Sequence, residues 1–156
     1  MKIILEGCDG VGKTTLANIL AVKYNLDVCH CTQYDASDYD FYRQTLRKEN
    51  VVWDRHTLGE LIYTSVFNRD PNIGPEGARL LMHYAEIEKV KVFVLTANHD
   101  TIKERLLARG NEHQNILDQY EWIDDQFKFY AENFHLPVID TTKMTLTEIF
   151  NLVEEK

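Results

Sequence analysis

Residues 2 to 15 read Lys2-Ile-Ile-Leu-Glu6-Gly7-Cys8-Asp9-Gly10-Val11-Gly12-Lys13-Thr14-Thr15, and this stretch decides the fold. Gly7, Gly12, Lys13 and Thr14 fit the pattern Gly-x-x-x-x-Gly-Lys-Thr of a phosphate-binding loop. The apolar run before the loop predicts a buried parallel strand, and apolar residues at helical spacing after it predict a helix. Glycines let successive backbone N–H groups surround an anion, and the helix N-terminus adds partial positive charge. The stretch therefore predicts a strand, a glycine turn and a helix that bind phosphate.

The side chains of this loop have separate predicted roles toward a nucleotide. We expect Lys13 to reach the β- and γ-phosphates, and we expect the Thr14 hydroxyl to bind Mg²⁺. A carboxylate beside phosphates is electrostatically costly, so we expect Asp9 to turn towards an acceptor and bond a sugar hydroxyl. A local role for Asp9 in stabilising the turn is the alternative. The predicted nucleotide-binding positions of the loop are Asp9, Gly10, Val11, Gly12, Lys13, Thr14 and Thr15.

Length and composition are those of a globular domain. The 156 residues predict one domain, 1–156. Apolar residues make up 44% and charged residues 27% of the chain, which is ordinary for a soluble protein. No apolar run approaches the roughly 18 residues that span a bilayer, so no membrane partner is expected. A core strand from the second residue argues against a signal peptide. The odd count of three cysteines favours reduced thiols and a cytoplasmic location.

The charge of the chain argues against a nucleic-acid partner. The formal net charge is −8, whereas a duplex-binding protein usually presents a basic face. Residues 112 to 135 hold six carboxylates against one lysine. A local positive site for phosphate groups is still compatible with this balance.

Short apolar runs alternate with segments of helical spacing along the whole chain. The predicted strands are 3–5, 27–30, 51–54, 90–95 and 137–140, and helices are predicted between them and after the last. This alternation predicts a three-layer α/β fold with a five-stranded parallel sheet flanked by helices. Ligands of such sheets bind at the carboxyl ends of the strands. The phosphate loop and Asp54-Arg55, which follow the first and third strands, are therefore expected to face one cleft.

Asp54 and Arg55 are candidate site residues for different reasons. Asp54 follows three apolar residues and is placed like a carboxylate that holds Mg²⁺ directly or through water. A helix N-cap is the alternative reading, and the two roles are compatible. Arg55 is expected to point into the same cleft, where a guanidinium matches a phosphate or a carboxylate. A surface arginine is the alternative for Arg55.

Two further features concern the sides of the cleft. Arg105 and Arg109 lie one helical turn apart beside the loop 110–115, and a mobile arginine neutralises charge during phosphoryl transfer. We predict this role for Arg109 first and Arg105 second, with pairing to neighbouring acids as the alternative. The segment from Tyr34 to Arg43 is rich in aromatic residues and could provide a ring that stacks on a base. Burial of these rings in the core is the alternative.

These motifs resemble those of the thymidylate kinase family of nucleoside monophosphate kinases. Glu6 to Thr15 is similar to the family motif Glu-Gly-x-Asp-Gly-x-Gly-Lys-Thr-Thr, and Asp54-Arg55 with Tyr63 resembles its Asp-Arg-Tyr…Ala-Tyr-Gln segment. Arg105 and Arg109 fall where the family has an Arg-x-x-x-Arg pair leading into a lid.

The resemblance implies a five-stranded parallel core, MgATP as the donor and a deoxynucleoside monophosphate as the acceptor. It places Asp9 near the sugar hydroxyl and Arg55 at the acceptor phosphate. Because no arginine follows Asp9 in the loop, it also implies that Arg109 acts from a short lid at approximately 109–115.

The chain departs from this family and shows a second resemblance. His56, Gly59 and Thr64 stand where the family has tyrosine, serine and glutamine, so the resemblance leaves the base of the acceptor open. Residues 109–114 and the helix after them look like the lid of the deoxynucleoside kinases, which phosphorylate free nucleosides. That family carries Glu-Arg-Ser where this chain has Asp54-Arg55-His56.

We therefore predict reversible ATP- and Mg²⁺-dependent phosphoryl transfer to a small-molecule nucleotide acceptor, a pyrimidine deoxynucleoside monophosphate. The alternatives are a deoxynucleoside kinase, a kinase acting on modified bases within DNA, and a non-catalytic nucleotide-binding protein. Members of the thymidylate kinase family often pair through helices. The apolar stripe of Leu58, Leu61, Ile62 and Val66 is explained equally by a homodimer and by burial in the core.

Overall fold

The computed structural model describes residues 1–31, 39–70, 72–110 and 112–155. The predicted positions that lie outside the described residues are 32–38, with Tyr34 of the aromatic segment, and Asn111 of the lid. The strands are β1 (Lys2–Glu6), β2 (Asp27–His30), β3 (Val51–Asp54), β4 (Lys91–Thr96) and β5 (Val138–Asp140). The helices of the described residues are α1 (Lys13–Tyr24), α2 (Tyr39–Thr45), α3 (Thr57–Val66), α4 (Pro75–Ile87), α5 (His99–Arg109), α6 (Gln114–Asn133) and α7 (Leu146–Glu154).

The five strands form one parallel sheet in the order β2-β3-β1-β4-β5. The predicted α/β fold with a five-stranded parallel sheet flanked by helices is confirmed. β1 is central and every one of its residues is buried, as expected for a parallel strand with helices on both faces. Its register places Leu5 beside Asp54 of β3. The carboxyl ends of β1 and β3 therefore lie side by side, and the chain leaves β1 into the phosphate loop.

Two apolar clusters fill the space between the sheet and the helices. Ile3 and Leu5 belong to one cluster and Ile4 to the other, because successive side chains of a strand point to opposite faces. The stripe on α3 is at most 8% exposed at each of its positions, Leu58, Leu61, Ile62 and Val66. Burial in the core therefore accounts for this stripe. The homodimer remains a prediction that the stripe does not support. Among the described helices, none has the length and apolar character needed to cross a membrane.

The phosphate loop passes close to the end of β4. Gly7 has a φ of 149°, and a Cβ atom there would lie 2.6 Å from the backbone oxygen of Leu95 and 3.0 Å from Cγ2 of Val11. Only glycine adopts this conformation readily, and only glycine leaves room for the neighbouring strand. Gly7 therefore allows the loop to leave β1 without separating β1 from β4.

β1 ends in Glu6, a fully buried carboxylate that bonds the first turn of α3. The Leu58 N–H donates to Oε1 at 2.7 Å and the Gly59 N–H donates to Oε2 at 3.1 Å. N–H groups in a first helical turn have no partner inside the helix, and the N-cap residue His56 forms no side-chain cap. Glu6 therefore caps α3 from the neighbouring strand and holds Arg55 beside the phosphate loop.

We expect Gly7→Ala to lower the free energy of unfolding by at least about 2 kcal/mol, because the new methyl group meets backbone in a strained conformation. Denaturant unfolding monitored by circular dichroism measures the change. Gly74→Ala is the control: Gly74 has a φ of −82° and a Cβ there would meet nothing within 4 Å. This control should cost less than about 1 kcal/mol. Equal losses in the two variants would contradict the close approach at Gly7.

The ionisation of Glu6 should make stability depend on pH. Burial raises the pKa of Glu6 from 4.5 to about 7, although the N–H bonds of Leu58 and Gly59 lower it in part. Between these values the folded protein keeps a proton that the unfolded chain releases, so the stability due to Glu6 is full below pH 4.5 and lost as pH rises through 7. Relative to Glu6→Gln, the wild type should lose about 3 kcal/mol across this window. Unfolding of both proteins from pH 4 to 8 tests this, and a constant difference would contradict it.

Candidate active site

The phosphate loop curls around the ammonium group of Lys13. Gly10 and Gly12 have φ values of 86° and 94°, so the backbone turns through the left-handed region before α1 begins at Lys13. The Lys13 side chain is buried, and its Nζ donates a hydrogen bond to the Cys8 carbonyl at 2.7 Å. Burial lowers the pKa of Lys13. The Lys13 amine therefore lies at the opening of the phosphate loop, where a bound anion would favour its charged form.

The two predicted Mg²⁺ ligands are in direct contact. Thr14 Oγ1 donates to Asp54 Oδ2 at 2.6 Å, and Asp54 is 5% exposed at the end of β3. A hydroxyl and a carboxylate at this spacing are hard oxygen donors of the kind that Mg²⁺ prefers. Nδ1 of His30, which was not predicted, lies 3.3 Å from the same Asp54 oxygen. The donor set fits a magnesium ion shared with a nucleotide phosphate.

Asp9, Arg55 and Tyr63 form one cluster next to the loop. The Arg55 guanidinium makes an ion pair with the Asp9 carboxylate and lies 5.0 Å from the centre of the Tyr63 ring. The Tyr63 hydroxyl accepts the Asp9 N–H at 3.1 Å. Arg55 has a φ of 71°, and its N–H donates to the Leu5 carbonyl at 3.0 Å. The backbone turn after β3 therefore directs Arg55 at the phosphate loop.

The two arginines of α5 have different partners. Arg105 Nη1 donates to the Gly10 carbonyl at 3.0 Å and thus supports the phosphate loop from outside. Arg109 Nη1 donates to Glu112 Oε1 at 2.9 Å, the acid pairing that was its alternative. About half of the Arg109 side chain is exposed. Arg109 is therefore close to the loop but tied to a glutamate of the segment between α5 and α6.

Two cavities meet at the phosphate loop. The first, which we call the α3 cavity, has a volume of about 510 Å³ and extends from the loop and Asp54 along α3 to Arg69. The second, the α7 cavity, has a volume of about 540 Å³ and lies between α1, α5 and α7. Gly10, Gly12 and Arg109 line both cavities. Two ligands bound in the two cavities would thus approach each other at the loop.

The remaining predicted loop positions, Val11 and Thr15, have their contacts on the side of the α7 cavity. Val11 is buried, and its carbonyl accepts a hydrogen bond from Thr141 Oγ1 at 2.8 Å. Thr15 is exposed on the first turn of α1 and lines the α7 cavity with Arg105. These contacts connect the loop to the segment that follows β5.

The α3 cavity also contains buried polar residues that sequence reasoning missed. Both ring nitrogens of His56 are engaged, Nε2 with Thr45 Oγ1 at 2.6 Å and Nδ1 with Thr57 Oγ1 at 2.8 Å. Burial lowers the pKa of His56 to about 3, so the ring is neutral. Glu60 is 6% exposed and pairs with Arg69. The available signal was Glu60 itself, the one charged residue of α3.

The described part of the aromatic segment contributes a wall of this cavity. Tyr42 is 1% exposed, lines the α3 cavity and packs edge-on against His56 at 5.0 Å between ring centres. Tyr39 and Phe41 are partly buried and pack against the same apolar cluster. The core-burial alternative therefore describes Tyr42, which also lines the cavity.

Comparisons with known proteins agree on one superfamily. No protein-family model matches the chain. The probable thymidylate kinase of Methanocaldococcus jannaschii is 25% identical over 181 residues, covering 97% of this chain and 92% of that protein. Cytidylate kinase 2 of Borreliella afzelii is 23% identical over 175 residues, covering 100% of this chain and 96% of that protein.

Among solved structures, the YorR protein of Bacillus subtilis in complex with phosphorylated GDP aligns with a TM-score of 0.77. It is 22% identical and covers 98% of this chain and 93% of its own, which extends the similarity of fold to the whole sheet and its helices. Together with the phosphate loop, these matches show that the chain belongs to the P-loop nucleotide kinase superfamily, as a distant homologue of thymidylate and cytidylate kinases.

Proposed function

We propose that this protein transfers the γ-phosphoryl group of MgATP to a pyrimidine deoxynucleoside monophosphate. Phosphoryl transfer to a nucleotide or nucleoside follows from the superfamily; the monophosphate acceptor and its base are the proposal. The observation that carries it is the pair of cavities that meet at the phosphate loop. The names of two curated relatives, a thymidylate kinase and a cytidylate kinase, support a pyrimidine.

We assign the donor to the α7 cavity and the acceptor to the α3 cavity. The α7 cavity is lined by the outer side of the loop, Thr15 and Arg105, which suits the nucleoside part of ATP. The α3 cavity contains the Asp9–Arg55 pair, and a guanidinium fork binds a phosphate with two parallel hydrogen bonds. In this assignment the acceptor phosphate replaces Asp9 as the partner of Arg55. The Asp9 carboxylate then bonds the acceptor sugar.

The reaction needs positioning and neutralisation of charge more than covalent chemistry. An oxygen of the acceptor phosphate attacks the γ-phosphorus, the bond to the β–γ bridging oxygen breaks, and ADP and a nucleoside diphosphate form. Lys13 and the loop N–H groups stabilise charge on the transferring group. Thr14 and Asp54 would hold Mg²⁺, which neutralises the β- and γ-phosphates when bound. No general base is required, because the acceptor phosphate is already anionic.

Arg109 completes this scheme as a residue of the lid at 109–115 in a kinase domain of 1–156. Arg109 lines both cavities, and its guanidinium donates to the side chain of Glu112. In this scheme the γ-phosphate replaces the Glu112 carboxylate, of which 12% is exposed, as the partner of Arg109. We therefore assign Arg109 the neutralising role and Arg105 the support of the loop.

A deoxynucleoside kinase is the second candidate, and Asp9 is the observation that favours it. A free nucleoside presents a 5′-hydroxyl, which loses a proton as it attacks. The Asp9 carboxylate lines the α3 cavity beside the loop and could accept that proton. A monophosphate needs Arg55 more than Asp9, so substitutions at the two positions separate the candidates.

A labelling experiment tests the proposed function. The protein is incubated with γ-labelled ATP, Mg²⁺ and a panel of nucleosides, monophosphates and DNA. We expect label on pyrimidine deoxynucleoside monophosphates, and we expect Lys13→Ala to lower turnover by more than about 100-fold, roughly 3 kcal/mol. Label on nucleosides alone would establish the second candidate. Label on none of the acceptors would reject both kinase assignments.

Arg55→Ala should raise the KM of the monophosphate by about 30- to 150-fold, or 2 to 3 kcal/mol, and leave the KM of ATP nearly unchanged. Part of the loss should appear in kcat, because the bound phosphate must be aimed at the γ-phosphorus. Arg55→Lys should restore little, since an ammonium group lacks the planar fork. Steady-state kinetics with each substrate varied measures these effects.

Arg79→Ala is the matched control, because Arg79 is exposed on α4 and pairs only with Glu76 among the contacts of the described residues. Since Arg55→Ala leaves the buried Asp9 without its partner, thermal unfolding is recorded for every variant. The assignment of Arg55 to the acceptor would be contradicted if Arg55→Ala kept a normal KM for the monophosphate and lost much of its affinity for ATP.

A further inference from the structure

Strand β2 brings a nitrogen donor to the two residues that were assigned to the divalent metal ion. His30 is the last residue of β2 and Asp54 is the last residue of β3, and the register of these parallel strands pairs the two residues directly. Residues paired in this way project from the same face of a sheet. Accordingly, His30 Nδ1 lies 3.3 Å from Asp54 Oδ2, the oxygen that also accepts the Thr14 hydroxyl at 2.6 Å.

These spacings suit three ligands of one ion. Two donors at right angles around an octahedral ion, each bound at about 2.1 Å, lie roughly 3 Å from each other. The distances of Thr14 Oγ1 and His30 Nδ1 from the shared Asp54 oxygen, 2.6 and 3.3 Å, fall on either side of that value. All three residues line the α3 cavity beside the phosphate loop. The arrangement thus offers one ion a hydroxyl, a carboxylate and an imidazole.

An ion pair between His30 and Asp54 is the other explanation of this contact. The His30 side chain is 51% exposed, and ion pairs with so much solvent access contribute little stability. Asp54 Oδ2 already accepts the Thr14 hydroxyl, so His30 is not needed to satisfy that oxygen. The ion pair by itself therefore gives little reason for a histidine at the end of β2.

A neutral imidazole has an advantage over a second carboxylate at this position. It binds a metal ion through a ring lone pair and brings no negative charge that would repel the phosphates of a nucleotide. Binding through Nδ1 leaves the ring proton on Nε2, where a metal-bound histidine ordinarily donates to a carboxylate, a carbonyl or water. Since half of the His30 side chain is exposed, water is available for that proton.

We propose that His30 is a third protein ligand of the divalent ion, through Nδ1, an inference that rests on the metal site of the proposed function. Mg²⁺ takes oxygen ligands almost alone, whereas an imidazole suits transition ions, and the affinity of such a site rises from Mn²⁺ to Co²⁺. With ADP bound, His30 therefore shifts the selectivity of the site from Mg²⁺ towards Mn²⁺ and Co²⁺.

Electron paramagnetic resonance of Mn²⁺ tests the contact without turnover. Mn²⁺ is bound to the protein together with ADP, and the spin-echo modulation from nearby nitrogen nuclei is recorded. We expect the coupling of a directly bound nitrogen. In protein that contains ¹⁵N-labelled histidine the coupling should change from the ¹⁴N to the ¹⁵N pattern, which separates an imidazole from lysine, backbone and adenine nitrogens. His30→Ala should abolish it.

Metal competition tests the selectivity. Displacement of Mn²⁺ from the ADP complex by Mg²⁺ or Co²⁺, followed through the signal of free Mn²⁺, gives the affinity of each ion. His30→Ala should weaken the binding of Mn²⁺ and Co²⁺ by at least about tenfold, the scale on which lost contacts of a metal site lower affinity. It should weaken the binding of Mg²⁺ by less than about threefold, because Mg²⁺ gains little from nitrogen.

His83→Ala is the matched control, because His83 is an exposed histidine of α4 and lies outside the α3 and α7 cavities. It should keep both the nitrogen coupling and the metal affinities. Three results overturn the inference and leave Thr14 and Asp54 as the metal site: Mn²⁺ bound without histidine coupling, coupling that survives His30→Ala, or an equal loss for all three ions. Failure of Mn²⁺ and ADP to bind together would instead reject the metal site of the proposed function, and this inference with it.

Discussion

Two hydrogen bonds from the first turn of α3 to the Glu6 carboxylate join the parts of this site into one structure. Glu6 ends the strand that leads into the phosphate loop, and α3 begins just after Asp54 and Arg55. If that contact were absent, the loop and α3 would still be connected through the β1–β3 pairing, but the first N–H groups of α3 would be buried without partners. The contact therefore fixes the distance between the loop and the wall of the α3 cavity.

The cationic groups around the loop are balanced locally within a strongly acidic chain. Lys13 bonds the Cys8 carbonyl, Arg55 pairs with Asp9, Arg105 bonds the Gly10 carbonyl and Arg109 pairs with Glu112. Each partner is an oxygen atom, as a phosphate oxygen is. A phosphate ligand can therefore take over these donors without leaving them unpaired, which keeps the cost of exchange low. This explains how a chain of net charge −8 retains a site for polyanionic ligands.

The sequence predicted the fold well because the fold is encoded locally. The phosphate loop, the short apolar runs and the helical spacing each lie within one segment, and the five strands and the helices of the described residues follow them closely. The sequence could not decide whether the apolar stripe on α3 packs on the core or on a second copy of the chain, because the same pattern of apolar residues suits both. Glu6 was missed for another reason. Glu6 meets its partner Leu58 at a separation of 52 residues, which no local pattern reveals.

The positions of the buried carboxylates separate structural from functional roles. Burying a charge is costly unless it is fully paired. Asp124 of α6 is completely buried, but Thr96 donates to both of its oxygens and Lys128 lies 3.2 Å away. The ammonium of Lys128 also lies 3.2 Å from Asp125, so it partners both acids of the group that they form with His99.

Asp9, Asp54 and Glu60 are also buried, at 5 to 6% exposure, but unlike Asp124 each of them lines the α3 cavity. Gly59, between Glu60 and Leu58, adds no side chain to that space, although a Cβ there would meet Glu6 Oε2 only at an ordinary 3.4 Å. Charged side chains gathered around one cavity in this way are typical of a site that binds a polar ligand.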